Sequence, residues 1–353
     1  MNLAVLVYLR WDPEQHSPLP YLGQQRDEAD PRWDTLAWMM DKHPKSRIGE
    51  ARLRPDAAMA IRLPTERSAW PEHVRTHRQA ILDAWEADAL GREWIETISR
   101  RPPVGVHVYR YEEPILSFRQ TRASLFARTA YAFLLADEGR RDEAIRLVLP
   151  ELVAWQNLQR CEAMLVHQMI AMVMIKESMK TIDAILDLGA IDPATRATLR
   201  ETLEKACPIG EVFRFGFLGD YWYSRSFDAV LDRGMTVEES KLFFGTVGLD
   251  SGPIVFVGRR WGLSLLVQQQ SWRAEYLGAL SRFTALATAR DLTTLAREES
   301  GAERRWAIKN ALGVRLIGVG LPAFTKVVNY VWTEEDARLA LLRRVGTPDG
   351  ASD

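Results

Sequence analysis

Apolar positions recur at helical spacing through the middle of the chain, and from Arg122 to Ala206 they do so across four consecutive segments. The first helix is expected from Pro114 to Asp137, closing at Glu138-Gly139, where glycine suits a left-handed C′ position. The second starts at Arg141-Asp142-Glu143 and continues through Ala144, Leu147 and Leu152 to about Leu158. The third, Cys161 to Leu188, is apolar on nearly every face, with Met164, Met169, Ile170, Met172, Ile175, Ile182 and Ile185. Such a helix must be covered by neighbours. Gly189 stops it, and Asp192-Pro193 opens a fourth that ends before Cys207-Pro208.

The flanks are less regular. Pro13, Pro18, Pro20, Pro31, Pro44, Pro55 and Pro64 exclude long helices before residue 70 and leave room for a short one over Trp33–Lys42. Trp11, Trp33, Trp38 and Trp70 would anchor this segment over a core made elsewhere. Ser68-Ala69-Trp70-Pro71-Glu72 reads as a helix start, with the helix running to about Ile98 and placing Ile81, Trp85, Leu90 and Trp94 along one side. Val104–Tyr111 alternates like a short strand. Beyond the array come an aromatic-rich helix over Glu211–Leu231, a glycine-rich break at 245–262 and a long helix over Leu263–Arg297. A polar turn at Arg297–Arg305 and a last helical region, Trp306–Arg344, broken at Pro322, complete the pattern.

No repeat of roughly 33 to 47 residues recurs, so a full solenoid is not expected. The fold class is mainly α: packed helical hairpins in a right-handed-array-like core, with an irregular Pro/Trp-rich N-terminal segment. The domain reading is 1–112 for that segment and its long helix, 113–208 for the hairpin core, 209–345 for a C-terminal helical block packed on the core, and 346–353 for a frayed tail.

Composition narrows the function classes. The 353 residues are 47% apolar and 26% charged, ordinary for a globular protein, and the net charge of −1 gives no electrostatic case for nucleic acid. An excess of six basic residues between Arg259 and Arg344 reads as solvated helix faces. Cys161 and Cys207 read as two buried free thiols. Met1–Leu9 is an apolar run far too short to span a bilayer; it is a first strand or helix, or the tail of a membrane anchor.

Individual residues then offer candidate chemistry. His73 and His77 sit four apart, on one helical face, as metal ligands can. They lack an HExxH frame and a third ligand, and Arg75 and Arg78 would repel a cation, so exposed helix histidines are expected and no metal. His167 lies in the most apolar helix and is expected to bond a neighbouring helix; a proton-transfer role is the sharper alternative. Arg214 and Asp220, flanking an aromatic run, could line a pocket with it. Gly245, Gly248 and Gly252 lack the Gly-Lys-Ser/Thr of a phosphate loop, and no cofactor is expected. Ala311–Trp332 is the one membrane-like stretch, interrupted by Arg315, Pro322, Lys326 and Asn329; it suits a buried helix or a membrane-surface contact over 311–332.

Ala130–Ala144, an Ala/Leu-rich helix followed by Glu-Gly-Arg-Arg-Asp-Glu-Ala-Ile, resembles a tetratricopeptide-type hairpin at its corner. More widely, Tyr8-Leu9-Arg10-Trp11-Asp12-Pro13, the pair Arg119–Leu152, Leu188-Gly189-Ala190-Ile191 and Asn310-Ala311-Leu312-Gly313 resemble a loose group of bacterial all-helical proteins tethered by one N-terminal transmembrane helix. That resemblance implies a helical domain on the outer side of the cytoplasmic membrane and supplies no catalytic residues. The chain departs from the group in its nine-residue apolar start and in stopping soon after Arg344. The expected function is a non-enzymatic interaction or scaffolding protein of the bacterial cell envelope, with a protein or peptide partner in a helical groove. The alternatives are an enzyme with a site assembled from scattered residues and a lipid-associated helical domain.

Overall fold

The computed structural model describes residue 53 and residues 55–100, 118–160, 165–216, 278, 281–303 and 324–346. These residues are mainly helical and include no strand, so the chain is a mainly α protein with a packed helical core. Packing divides the chain into two units. One comprises Glu28–His107, Pro114–Gly216 and Val331–Asp353, the other Met1–Asp27, Val108–Glu113 and Phe217–Tyr330. The expected helix at Trp33–Lys42, strand at Val104–Tyr111, glycine-rich break and frayed tail lie outside the described residues.

In the first unit the helices are α1 (Pro55–Ala60), α2 (Trp70–Thr76), α3 (Arg78–Ala87), α4 (Ala89–Arg100), α5 (Phe118–Asp137), α6 (Arg141–Gln159), α7 (Leu165–Asp187) and α8 (Pro193–Glu204). The array is where local signals and structure agree. Gly139 adopts φ +88°, and Arg140 N–H reaches back to the Leu135 carbonyl at 2.9 Å, the crossed bond that seals a helix C-terminus. Gly189, at φ +139°, ends the third helix. Asp192 opens the fourth by accepting from Thr195 N–H at 2.7 Å, which holds its carboxyl below the usual range. Its own N–H donates to Asp142 Oδ1 at 2.7 Å, so the start of α8 is tied to the first turn of α6.

The helix expected from Pro71 to Ile98 is instead three helices, α2, α3 and α4, interrupted at His77 and Asp88. Neither break carries Pro or Gly. The Asp88 break coincides with a change of packing partner, because α3 lies on α5 whereas α4 lies mainly on α6. α2 buries Trp70 and Val74, α3 Ile81 and Ala84, and α4 Trp94, Ile95 and Ile98. Trp70, almost fully buried, sets its ring edge-on to Phe133 with centroids 5.0 Å apart and donates Nε1–H to the Pro64 carbonyl.

A second helix is enclosed beside the apolar one. α5 is flanked by α1, α2 and α3 and by α6 and α7, and nearly all its side chains from Ala123 to Ala136 are buried. Buried Ala127, Ala130, Ala132 and Ala136 let those five neighbours approach closely. α7 is buried along most of its length, as its apolar composition requires, with Met169 and Asp187 exposed and Lys180 and Asp183 half-buried on one side.

α10 spans Phe324–Gly346, and the break expected at Pro322 lies outside the described residues. Within the first unit its C-terminal half buries Leu341 and Val345 in the core and is fixed by two arginines. Arg338 Nη1 donates to the Leu203 carbonyl at the end of α8, 2.7 Å away. Arg344 Nη1 lies 2.7 Å from Asp183 and 2.8 Å from Asp187 on α7.

In the second unit the chain is helical over 281–288 and again over α9 (Leu292–Glu303). The single helix expected to Arg297 is broken at Arg290, which takes φ +56°, and Asp291 caps the new start by accepting from Thr294 N–H at 3.0 Å. The polar stretch Arg297–Arg305, expected as a turn, is helical to Glu303. Phe283, Ala287, Leu295, Val327 and Val328 are buried in this unit. Among the described residues no helix is long and apolar enough to cross a membrane. The stretch 311–332 is described only from Phe324 onward, where it is helix.

Candidate functional site

The densest polar chemistry in the described residues is a sealed cluster where the α3–α4 break meets α5 and α6. Asp88, the residue of the break, is 3% exposed and accepts a hydrogen bond from Ser124 Oγ of α5 at 2.5 Å. One turn further along α5, Arg128 places Nε 2.8 Å from Glu151 Oε2 of α6, with both side chains buried. The contact is between charges; the two atoms are not aligned as donor and acceptor. Glu151 turns its other oxygen to Trp155, whose Nε1–H donates at 2.5 Å. Arg128 Nη1 reaches the Leu147 carbonyl at 3.5 Å, while Nη2 carries no acceptor.

Aromatic rings wall the cluster. Trp85 stacks on Tyr131 at 4.6 Å between centroids and 18° between planes. Arg92 lies over Trp85 at 4.4 Å and caps the end of α3 by donating Nη1–H to the Trp85 carbonyl at 2.6 Å; Arg128 sits 5.7 Å from the same ring. Gly91 closes the approach, since a Cβ there would collide with Ser124 Oγ and Asp88 Oδ1. Glycine is required by that contact.

Burial sets the electrostatics. Loss of water pushes the Asp88 carboxyl up to about 6, and the nearby Glu151 carboxylate adds to this; Ser124, Arg128 and Arg92 pull the other way. Burial raises Glu151 as well, against the pull of Arg128 and the Trp155 hydrogen bond. The Asp88 carboxyl can therefore hold a proton near pH 6. Sealed from solvent, the two carboxyls and the guanidinium tie the α3–α4 break, α5 and α6 together.

The residues singled out from the sequence lie elsewhere. His167 is 1% exposed in α7, a core histidine as expected, and makes contacts within the core. Arg214, in the helical run 209–216, is half exposed; it pairs with Glu211 at 2.7 Å and covers the Phe215 ring at 4.8 Å. Asp220 and the aromatic run after residue 216 lie outside the described residues, and the expected grouping with His167 and Arg214 lies there with them. His73 and His77 stack with ring centroids 4.3 Å apart, but they are half-buried and turned to backbone. His77 Nδ1 lies 2.9 Å from the His73 carbonyl and His73 Nε2 3.4 Å from the Ile61 carbonyl. Burial, reinforced by His77, lowers the His73 pKa despite the Ile61 contact. Among the described residues no three His, Cys, Asp or Glu side chains group as metal ligands do. Cys207 is a buried free thiol pushed up to about 11 by burial; Cys161 lies outside the described residues.

The cluster escapes sequence reading because its members come from three helices. Its one local signal is a charged residue on an apolar face: Arg128 between Ala127 and Ala130, and Glu151 between Val148 and Leu152. No family model, curated protein or solved structure matches the chain.

Proposed function

We propose that the chain is an interaction or scaffolding module, a helical frame whose outer faces meet a protein or peptide partner. The observation that carries this reading is where the frame spends its buried polar groups. Glu151, Arg128 and Trp155 join α5 to α6, and Asp88 with Ser124 joins the α3–α4 break to α5. Asn157 Nδ2 donates to the Ile98 carbonyl at the end of α4, and Gln156 to the Thr202 carbonyl of α8. Polar side chains used this way make helix positions unique and rigid, which suits a surface that must keep its shape. Placement at the bacterial cell envelope rests on the resemblance of the stretches named above.

The enzyme reading has one observation in its favour, the raised Asp88 and Glu151 carboxyls, because perturbed carboxyls gather at active sites. Their burial opposes it, since a substrate atom must reach the group that exchanges its proton.

Photo-crosslinking from exposed positions on α8 and α10, followed by reconstitution with the purified captured protein, tests the module. A stoichiometric complex that re-forms from the two purified proteins is the expected result. Turnover of a small molecule that Asp88→Asn and Glu151→Gln both abolish, while the fold persists, overturns it.

A further inference from the structure

One aromatic ring in the first unit carries two arginines. Arg62, just after α1, sets its guanidinium carbon 5.2 Å from the centre of the Phe126 ring, and Arg122, in the second turn of α5, sets its own at 5.3 Å. The two carbons are therefore at most 10.5 Å apart, the sum of those distances. Phe126 is buried beneath them, and Met59, which accepts the Arg62 backbone N–H, is 51% exposed beside them.

What sets these two apart is that, among the described residues, neither has an acceptor. Elsewhere in the unit, described arginines hold carboxylates, as Arg67, Arg75, Arg78, Arg140 and Arg344 do, or carbonyls, as Arg92 does. In a chain with slightly more acids than bases, two guanidiniums without acceptors on one ring are a concentration of uncompensated charge. The ring fixes both stems, so less side-chain freedom is lost when an anion binds.

We propose that Arg62, Arg122 and Phe126, with Met59 at the edge, form a docking site for an acidic peptide segment of a partner protein. The proposal rests on the module reading above and names the partner's chemistry. Two forked guanidiniums within this span take carboxylates on neighbouring side chains of one strand or helical turn. The exposed Met59 thioether supplies the adaptable apolar contact that a peptide uses and a free anion does not.

Fluorescence anisotropy on the full chain provides the test. The probes are labelled peptides of equal length: one of alternating Glu and Leu, one with Lys for Glu and one with Ser for Glu. The expected result is saturable binding of the Glu peptide, salt-sensitive and weakened at least about tenfold in both Arg62→Ala and Arg122→Ala. Arg200→Ala, on α8, should leave binding unchanged and so controls for net charge. Unaltered circular dichroism and thermal melting would show that the variants fold. Binding equal in all variants, or absent for the Glu peptide, overturns the proposal. So does displacement of that peptide by inorganic phosphate at matched ionic strength, which would make this a small-anion site. Binding of the Ser or Lys peptide alone would remove this site and leave the module reading standing, whereas failure of all three counts against both.

Discussion

Ser124 Oγ donates to Asp88 Oδ2 at 2.5 Å, across 36 positions of sequence, and this bond holds the break between α3 and α4 against α5. A carboxyl there is buried whether or not it is charged, so its protonation is coupled to folding. Burial lifts its pKa to about 6 from an ordinary 3.8. The sign follows. Between those values the folded protein binds more protons than the unfolded chain, so the stabilisation is complete below about pH 3.8 and is lost as pH rises through about 6. The full difference is about 3 kcal/mol. Asp88→Asn keeps an acceptor for Ser124 without the charge. Chemical denaturation should therefore find the variant more stable than the parent at pH 7.5, with the gap narrowing toward pH 4.5. A constant gap would show that Asp88 does not titrate in this window.

Arg128 and Glu151 predict a different pattern. Removing one member of a buried ion pair strands the other, at about 3–5 kcal/mol, whereas replacing both with uncharged groups of similar size is close to neutral. Arg128→Leu should thus lower stability by about that amount. Adding Glu151→Gln, which keeps an acceptor for Trp155 Nε1–H, should restore most of it. Additive losses in the double variant would mean that the two side chains act independently.

At the C-terminal end, ions and apolar contacts can be weighed against each other. Arg344 bridges Asp183 and Asp187, which Arg67 also contacts, but all four side chains are substantially exposed. Exposed pairs of this kind contribute less than about 1 kcal/mol. Leu341, on the same helix and buried in the core, should cost about 2–5 kcal/mol when cut to Ala. Denaturant midpoints for Arg344→Ala and Leu341→Ala separate the two, and a larger loss for Arg344→Ala would show that charge rather than packing seats α10.

How far the sequence reveals this fold depends on where each signal resides. The starts of α6 and α8 are legible because Gly139, Gly189 and Asp192-Pro193 act within a few residues of themselves. The breaks at His77, Asp88 and Arg290 are not, since neither Pro nor Gly stands at them; at Asp88 the packing partner changes, and at Arg290 the Asp291 cap starts a new helix. The candidate site follows the same rule. His167 was recognisable as a core residue from its own apolar helix, whereas Asp88, Arg128 and Glu151 acquire their meaning only when three helices bring them together.

Gly91 shows the same dependence from the other side, and its substitution tests the packing of the whole cluster. In an isolated helix Gly→Ala stabilises by about 1 kcal/mol, because alanine loses less backbone freedom on folding. Here the added methyl would meet Ser124 Oγ and Asp88 Oδ1, the two atoms nearest to it, and both belong to side chains already held in the cluster. Neither can swing away without exposing a buried polar atom, so strain of about 1–3 kcal/mol should exceed the helical gain. Gly91→Ala is expected to be net destabilising, whereas Gly346→Ala, whose Cβ would meet nothing within 4 Å, should not carry that penalty. In Gly91→Ala the displaced Ser124 would also release the Asp88 carboxyl. The pH dependence of stability between about 4 and 6 should therefore change together with its magnitude. A Gly91→Ala protein as stable as the parent, with the same pH profile, would show that α4 can tilt away from α5 without disturbing the Asp88–Ser124 bond.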